Sequence, residues 1–182
     1  MSRLNVIGPM VGCDRSKDEY RMKEEAMSDV LGPVRLPPLD HIGVVVKDID
    51  KTVEFLSSTW GLGPWEILEY APSDDELEIG EPYRIKLAFA SLGSARLELI
   101  QPLDGKSLWS EFLENKGEGI QHIAFMVSKW DEMVPRLKDE SRNVVAGGII
   151  SGEKRWRYYK TDTGGITFQL EEPGGVFKSL SD

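Results

Sequence analysis

The chain has 182 residues, a net charge of −9 and a hydrophobic content of 40%, so it is long enough for one ordinary domain or two small fused modules. Its acidity argues against nucleic-acid binding, which needs a basic footprint, and its apolar runs fall short of the roughly 18 residues of a membrane-spanning helix. The N-terminal stretch lacks the pattern of a secretory signal and the single cysteine cannot form an internal disulfide, so we expect a cytoplasmic protein.

The first predicted elements follow an N-terminal arm, residues 1–36, whose middle part has a helical pattern. The apolar run HIGVVV (41–46) is the first predicted strand. A helix follows it, because apolar residues recur at helical spacing, and Gly61 is its predicted end. Three further strands are expected near residues 64–70, 83–91 and 95–101.

The same order of elements is predicted again after a linker at residues 105–118, the first half of which has a helical pattern. The second apolar run, HIAFMV (122–127), is a predicted strand. The helix after it contains Pro135, which predicts a late start or a bend. Three more strands are expected near residues 143–149, 155–161 and 166–172.

An internal repeat accounts for this recurrence. HIGVVVKDIDKTVEFL (41–56) aligns with HIAFMVSKWDEMVPRL (122–137), and RLELIQP (96–102) aligns with TFQLEEP (167–173). Such self-similarity indicates two copies of one structural unit, here a βαβββ unit. The predicted organisation is a single α+β domain at 37–174, with module one at 37–104, module two at 119–174 and a tail at 175–182.

The two histidines of the chain open the matching strands of the two copies. Because side chains alternate along a strand, His41 and His122 occupy the same face in their copies. Glu98 and Gln169 occupy matching positions on the last strands. If the copies curl about a pseudo-twofold axis, these four side chains converge on one concavity. A lone strand histidine is more often a hydrogen-bonded core residue, but the doubled pattern favours a site in which all four residues bind one divalent metal ion.

The doubled unit, with polar residues on its first and last strands, resembles the vicinal oxygen chelate superfamily, which includes glyoxalase I, bleomycin resistance proteins and extradiol dioxygenases. HIGVVVKDIDKTVEFL, LELIQPLDGKSLWSEFL and KGEGIQHIAFMV look more narrowly like its methylmalonyl-CoA epimerase branch. The resemblance covers residues 38–173. It implies an open, eight-stranded, barrel-like sheet around one divalent metal ion (cobalt, manganese, nickel, zinc, iron or magnesium), a small-molecule substrate such as a CoA thioester, and a homodimer.

Carried over by position, the metal ligands of the family fall on His41, Glu98, His122 and Gln169. The last position departs from the family pattern, because the epimerases and glyoxalase I typically have a glutamate there. A second departure lies on the predicted strand at 83–91. The epimerases have a carboxylate there that is thought to transfer protons, and the alignment places Lys86 at its position.

Other residues then become candidates for proton transfer and substrate binding. Lys86 is a candidate base or an anchor for a substrate carboxylate, and its alternative is a solvated strand lysine. Glu171 shares the strand face of Gln169 and is the next candidate acid or base, with a carboxylate at the rim as its alternative. The candidate substrate-binding residues are Arg96, Tyr158 and Tyr159, and alternation turns only one of the two tyrosines inward.

Three functions are compatible with these residues. The first is a metal-dependent isomerase or lyase that acts on a small oxygenated acyl substrate through a metal-stabilised, enolate-like intermediate. With Gln169 in place of a glutamate, the ion and its ligands would keep a net positive charge. The second is a ligand-binding or resistance protein on the same fold, without turnover. The third is a ring-cleaving dioxygenase, which uses two histidines and one carboxylate on iron, although the family places that carboxylate in the other module.

Overall fold

Apolar residues that alternate with polar ones build the strands, which the computed structural model describes over residues 34–137, 142–150, 153–161 and 163–174. The described residues form nine strands: β1 (Leu39–Val45), β2 (Glu66–Tyr70), β3 (Leu77–Ile79), β4 (Tyr83–Ser91), β5 (Arg96–Gly105), β6 (Gly119–Met126), β7 (Arg142–Ile150), β8 (Lys154–Thr161) and β9 (Thr167–Glu171). They form three α-helices: α1 (Ile49–Trp60), α2 (Leu108–Lys116) and α3 (Trp130–Met133). Most of the predicted arm, residues 1–33, and the whole predicted tail lie outside the described residues.

The strands form one mixed sheet in the order β2-β4-β5-β1-β6-β9-β8-β7-β3. In each copy of the repeat the first strand pairs in parallel with the last, β1 with β5 and β6 with β9. The two copies meet where β1 pairs with β6 in antiparallel fashion. The predicted α+β fold, with its doubled βαβββ unit, is therefore confirmed.

The sheet is curled into a half-barrel. β2 and β3 lie at its two opposite edges, yet they are joined by the short connection 71–76. That connection reaches at most about 25 Å, whereas a flat sheet of this many strands would be about 38 Å across. The two edges must therefore approach each other. β3 pairs with β7 of the second copy and is a ninth strand, where the sequence predicts eight.

Helix α1 ends where the sequence predicts, at Gly61. The side chain of Asp48 caps its N-terminus by accepting a hydrogen bond from the Lys51 backbone N–H, and Gly61 ends it in the left-handed conformation with φ of 65°. Ile49, fully buried on α1, packs against Ala88 and Leu99 of the sheet. The helix thus covers the convex face of the first module.

The corresponding helix of the second copy is short. Helix α3 ends at Met133, and the chain continues as a 3₁₀ helix over Val134–Leu137. Pro135 has no backbone N–H to donate to the preceding turn, which explains why the α-helix does not reach the length of α1. None of the helices in the described ranges is both long and apolar enough to cross a membrane.

Alternation along the strands separates two kinds of core. On the concave side, apolar and aromatic side chains from β4, β5 and β8 pack with Trp109 of α2. On the convex side, two smaller clusters lie under α1 and α3. The concave side is the one on which the polar residues of the repeat are found.

Candidate metal centre

Four polar side chains meet in the middle of the sheet, on the neighbouring strands β5, β1, β6 and β9. His41 Nε2 lies 3.3 Å from both His122 Nε2 and Glu98 Oε2. It lies 3.0 Å from Gln169 Oε1. His122 Nε2 lies 3.2 Å from Glu98 Oε2. All four side chains are buried, so the structure brings together the four residues that the sequence predicts as ligands.

Two β-bulges aim the histidine rings. In the antiparallel ladder between β1 and β6, Asp40 and Gln121 are each skipped by the pairing. A bulge re-aims a side chain that strict alternation would turn to the other face. Each extra residue therefore reaches the histidine after it: His41 Nδ1 donates to Asp40 Oδ2 at 2.7 Å, and His122 Nδ1 donates to Gln121 Oε1 at 2.8 Å.

These two hydrogen bonds decide which nitrogen of each ring is free. With the proton on Nδ1, Nε2 of a neutral imidazole carries a lone pair, and the two Nε2 atoms face each other. A hydrogen-bonded Nδ1 is the usual support of a histidine that binds a metal through Nε2. Arg96 extends this support, because its guanidinium donates to the same carboxylate oxygen of Asp40.

The ring of His122 lies directly over Gly43 of the neighbouring strand. Gly43 and His122 are cross-strand partners, and a Cβ atom at position 43 would overlap three atoms of the imidazole ring. The backbone conformation of Gly43 is ordinary, so its requirement is one of space alone. Glycine at this position is therefore part of the site.

The arrangement of these atoms fits a divalent cation. Nitrogen and oxygen ligands lie about 2.0–2.2 Å from ions such as zinc, so ligand atoms around one ion are separated by about 3 Å. His41 Nε2 has about this spacing from the other three atoms, and His41, Glu98 and His122 form a buried cluster capable of holding a metal. Glu98 Oε2 is buried and lies 3.2–3.3 Å from the Nε2 atoms of both histidines, without a well-aligned hydrogen bond to either. Lone pairs this close repel each other unless a cation lies between them.

The charges of the site show how the protein compensates without a metal ion. Burial lowers the pKa of His41, but Glu98 and Asp40 outweigh that effect and raise it to about 10. Burial raises the pKa of Glu98, but the neighbouring histidines outweigh it and lower the pKa to about 2. Burial lowers the pKa of His122. A proton on His41 thus supplies the positive charge that the carboxylates require.

A second buried carboxylate, Glu171, lies beside the ligands. Gln169 Nε2 donates to Glu171 Oε2 at 3.1 Å, which leaves Gln169 Oε1 turned towards His41. The other oxygen, Glu171 Oε1, has no hydrogen-bond partner in the described part of the chain. Burial raises the pKa of Glu171 to about 7, so this carboxyl can hold or release a proton near neutral pH.

A cavity of about 40 Å³ adjoins these ligands on the concave side of the sheet. Three polar residues of the site contribute to its wall, namely Glu98, Gln169 and Glu171. Its aromatic wall is made of Tyr70, Tyr83, Trp109, Trp156 and Tyr158. Tyr158 connects this wall to the ligands, because its ring lies edge-on to that of His122 at 5.0 Å between centroids.

Comparison with known proteins agrees with this architecture. A model of the glyoxalase/bleomycin resistance protein/dioxygenase superfamily matches residues 40–159. The chain belongs to this superfamily. It is 32% identical to YqjC, an uncharacterised protein of Bacillus subtilis, over 75% of this chain and 93% of YqjC. It is 26% identical to the mitochondrial methylmalonyl-CoA epimerase of Bos taurus, over 78% of each.

A solved structure extends the similarity to the fold. A variant of Streptomyces coelicolor methylmalonyl-CoA epimerase, in complex with 2-nitronate-propionyl-CoA, is 25% identical and superposes with a TM-score of 0.58. The match covers 78% of this chain and all of that one. The resemblance to the superfamily and to its epimerases is thereby confirmed.

In this superfamily member the structure corrects the prediction for Lys86. Lys86 lies on the convex face of β4, where its Nζ contacts both carboxylate oxygens of Asp50 at 2.7 Å. The side chains on either side of it, Ile85 and Leu87, are the ones that line the cavity. Alternation therefore turns Lys86 away from the site, and neither a base nor a substrate anchor is found at this position.

The other predicted residues divide between the two faces. Tyr158 lines the cavity, whereas Tyr159 packs in the convex cluster with Phe125, so the prediction of Tyr159 as a substrate-binding residue is corrected. Arg96 does not line the cavity either. It holds the Asp40 carboxylate, which makes it a positioning residue for His41.

Several residues of the site are not predicted from the sequence. The dipeptides DH (40–41) and QH (121–122) place an acceptor just before each histidine, and this shared pattern could have identified Asp40 and Gln121. Trp109 lies on α2, outside the repeat, so no internal symmetry identifies it. Tyr70 comes from the edge strand β2, and only the curl of the sheet brings it to the cavity.

The overlap at Gly43 gives the first prediction. In Gly43→Ala the added methyl group displaces the His122 ring. The affinity for Zn²⁺ should therefore fall by about 10–100-fold, as it does when a metal ligand loses its supporting contacts. Affinity is measured by competition with a chromophoric chelator. Gly147→Ala, on strand β7, is the matched control, since its Cβ meets the flexible side chain of Arg157 and a backbone carbonyl. Unchanged affinity in Gly43→Ala would contradict the assignment.

The proton on His41 gives a second prediction. Its raised pKa, which the Glu98 and Asp40 carboxylates cause, keeps the ring protonated in the metal-free protein at neutral pH. A metal ion must displace that proton, so the affinity should rise by about tenfold for each unit of pH between about pH 6 and pH 8. The same competition titration at several pH values measures the slope. An affinity that is independent of pH would show that no proton is displaced.

Proposed function

We propose that this protein is a divalent-metal-dependent isomerase or lyase that acts on a small oxygenated acyl substrate. One observation carries the proposal: His41 Nε2 lies 3.0–3.3 Å from the other three ligand atoms, and this cluster adjoins a cavity that is also lined by Glu171, which has an unpaired carboxylate oxygen. A metal ion and a base that face the same small space are what proton abstraction next to a carbonyl requires.

The metal would be held by His41, Glu98, His122 and Gln169. When bound, it would stabilise negative charge that develops on an oxygen atom of the substrate. Most of the side chains that line the cavity are buried, and charge interactions are stronger where water is scarce.

Glu171 is the proposed base. Its Oε1 accepts the proton from the substrate carbon next to the carbonyl group, and the electron pair of the broken C–H bond moves towards the carbonyl oxygen. Gln169 holds the other carboxylate oxygen through its N–H group, so the same residue orients the base and offers Oε1 towards the histidines. The proton is then returned to the substrate, or leaves with a departing group in a lyase reaction.

The opposite wall of the cavity offers no second acid–base carboxylate among the described residues. Strand β4 contributes Tyr83, Ile85 and Leu87 to the wall, none of which is a carboxylate. Glu98 is a proposed ligand, which leaves Glu171 as the remaining carboxylate there. A reaction in which one base removes and returns the proton on one face is therefore favoured over an epimerisation with two bases.

A CoA thioester is the proposed substrate class. A similar epimerase has been crystallised with 2-nitronate-propionyl-CoA, and the small cavity here is sized for a short acyl group. A second cavity of about 310 Å³ shares Tyr83 and Trp109 with the first and is also lined by two lysines and two glutamates, namely Lys106, Lys160, Glu81 and Glu111, of which Lys106 and Glu111 form an ion pair. It would accept the carrier portion of the thioester, with the two lysines near its phosphates. The predicted homodimer and the cytoplasmic location belong to the same proposal.

Hydrogen exchange tests the proposal. Protein reconstituted with one equivalent of Co²⁺ or Zn²⁺ is incubated with methylmalonyl-CoA in deuterated water, and mass spectrometry follows deuterium at the α-carbon. We expect exchange to be faster than inversion of configuration, because a single base returns deuterium to the face it came from. Glu171→Gln should slow exchange by at least about 100-fold. Glu114→Gln, on the exposed side of α2, should leave the rate unchanged.

Two outcomes would contradict this proposal. If wild-type protein that retains its metal shows no deuterium exchange, proton abstraction from this thioester is excluded. Exchange that persists in Glu171→Gln at the wild-type rate would remove Glu171 from its role.

A further inference from the structure

Hydrogen-bond donors without acceptors are concentrated on the side chains that line the small cavity. Six buried side-chain nitrogen or oxygen atoms of the described residues have no hydrogen-bond partner, and five of them belong to side chains that line this cavity. Two of the five are the carboxylate oxygens of Glu98 and Glu171 considered above. The other three are donors: the Tyr70 hydroxyl and the indole N–H groups of Trp109 and Trp156.

Three unpaired donors in one place are not expected of a folded core. Buried polar groups are nearly always hydrogen-bonded, because leaving one unpaired loses the bond it made to water. None of the three is required to hold the fold together, since each aromatic ring would pack as well without its polar atom. Their shared location instead indicates that the acceptor comes from outside the chain, and a substrate group that displaces ordered water from the cavity can supply it.

The charge of the cavity limits what that acceptor can be. Among the described residues no lysine, arginine or histidine lines it. Burial raises the pKa of Tyr70, and the negative charges of Glu76 and Glu171 raise it further, so the hydroxyl keeps its proton. A negatively charged acceptor here would be repelled by the carboxylates of Glu98 and Glu171, and no cation on the aromatic side would offset that repulsion. An uncharged acceptor, such as a carbonyl oxygen, is favoured.

The size of the cavity limits the group that carries the acceptor. A single water molecule needs roughly 10–15 Å³ of such space, so a cavity of about 40 Å³ accepts about three atoms of that size. The rings around it are packed edge to face, with Trp109 and Tyr158 at 5.6 Å and Trp156 and Tyr158 at 5.8 Å between centroids. A phenyl group would have to force this packing apart.

We infer that Tyr70, Trp109 and Trp156 form a subsite that binds a compact, uncharged, oxygen-bearing substituent of the acyl substrate. The inference rests on the proposed function, because the rest of the substrate is taken to lie at the metal centre. It defines the substrate as a short acyl compound with a further carbonyl or similar acceptor a few bonds from the reacting carbon. An aromatic, purely aliphatic or anionic substituent is disfavoured in this subsite, so the carboxylate of a compound such as methylmalonyl-CoA would have to lie at the metal centre instead.

Hydroxamates of different substituents test the inference by binding alone. The hydroxamate group chelates a metal ion, so its substituent is presented to the space beside the ion. Four probes are compared on Co²⁺-loaded protein, with the visible absorption of cobalt as the signal: those with propyl, carbamoylmethyl, carboxymethyl and phenyl substituents. We expect the carbamoylmethyl compound to bind about tenfold more tightly than the propyl compound. The carboxymethyl and phenyl compounds should bind more weakly than the carbamoylmethyl one.

Variants assign the preference to the donors. Tyr70→Phe removes only the hydroxyl and should reduce the preference for carbamoylmethyl over propyl by about threefold to tenfold. Trp109→Phe should act in the same direction and serves as a second donor deletion. Tyr159→Phe is the matched control, because Tyr159 lies in the convex cluster, and it should keep the wild-type preference. Circular dichroism verifies that each variant is folded.

The outcomes separate the two proposals. If no hydroxamate changes the cobalt spectrum, the metal centre of the proposed function fails. If all four bind with equal affinity, or Tyr70→Phe and Trp109→Phe keep the full preference, the subsite is refuted while the metal centre stands. Tighter binding of the carboxymethyl compound would overturn the assignment of an uncharged acceptor.

Discussion

The antiparallel pairing of β1 with β6 is the interaction on which the site depends. Each module carries only half of the ligand set, one histidine and one residue with a side-chain oxygen, so neither module alone forms the centre. The pairing places His122 over Gly43 and creates the two bulges that aim Asp40 and Gln121 at the histidine rings. A metal ion bound here would hold the modules together, which couples metal affinity to the integrity of the sheet.

The two modules share a backbone plan but differ in charge. Module one supplies the carboxylates Asp40 and Glu98, whereas the matching positions of module two carry the amides Gln121 and Gln169. This difference leaves the carboxylate of Glu171 available for proton transfer. An amide at position 169 donates a hydrogen bond to Glu171, whereas a glutamate there would repel it and compete with it for protons. The residue that departs from the family pattern is thus the one that makes a neighbouring carboxylate available as a base.

The sequence predicts the fold and the four converging residues, because both follow from a repeat combined with strict strand alternation. The failures occur where alternation or the repeat does not apply. Lys86 follows a variable segment, so its alignment is one residue out of register with the inward face of β4. Asp40 and Gln121 sit at bulges, which break the period of two, and β3 is too short to give a pattern. Trp109 belongs to a linker helix that has no counterpart in the other copy.

The reaction available to this scaffold is set by the few inward positions next to the metal ligands. On the second module such a position carries Glu171, with one oxygen held by Gln169 and the other unpaired. On the first module strand β4 carries Ile85 and Leu87, which cannot move a proton, and Tyr83, whose hydroxyl has a pKa that burial raises. Aromatic side chains close the remaining wall with neutral donors. Proton transfer on one face of a small, neutral acyl group is compatible with all three features. A two-base epimerisation would need a second base on the wall formed by β4, which carries no carboxylate.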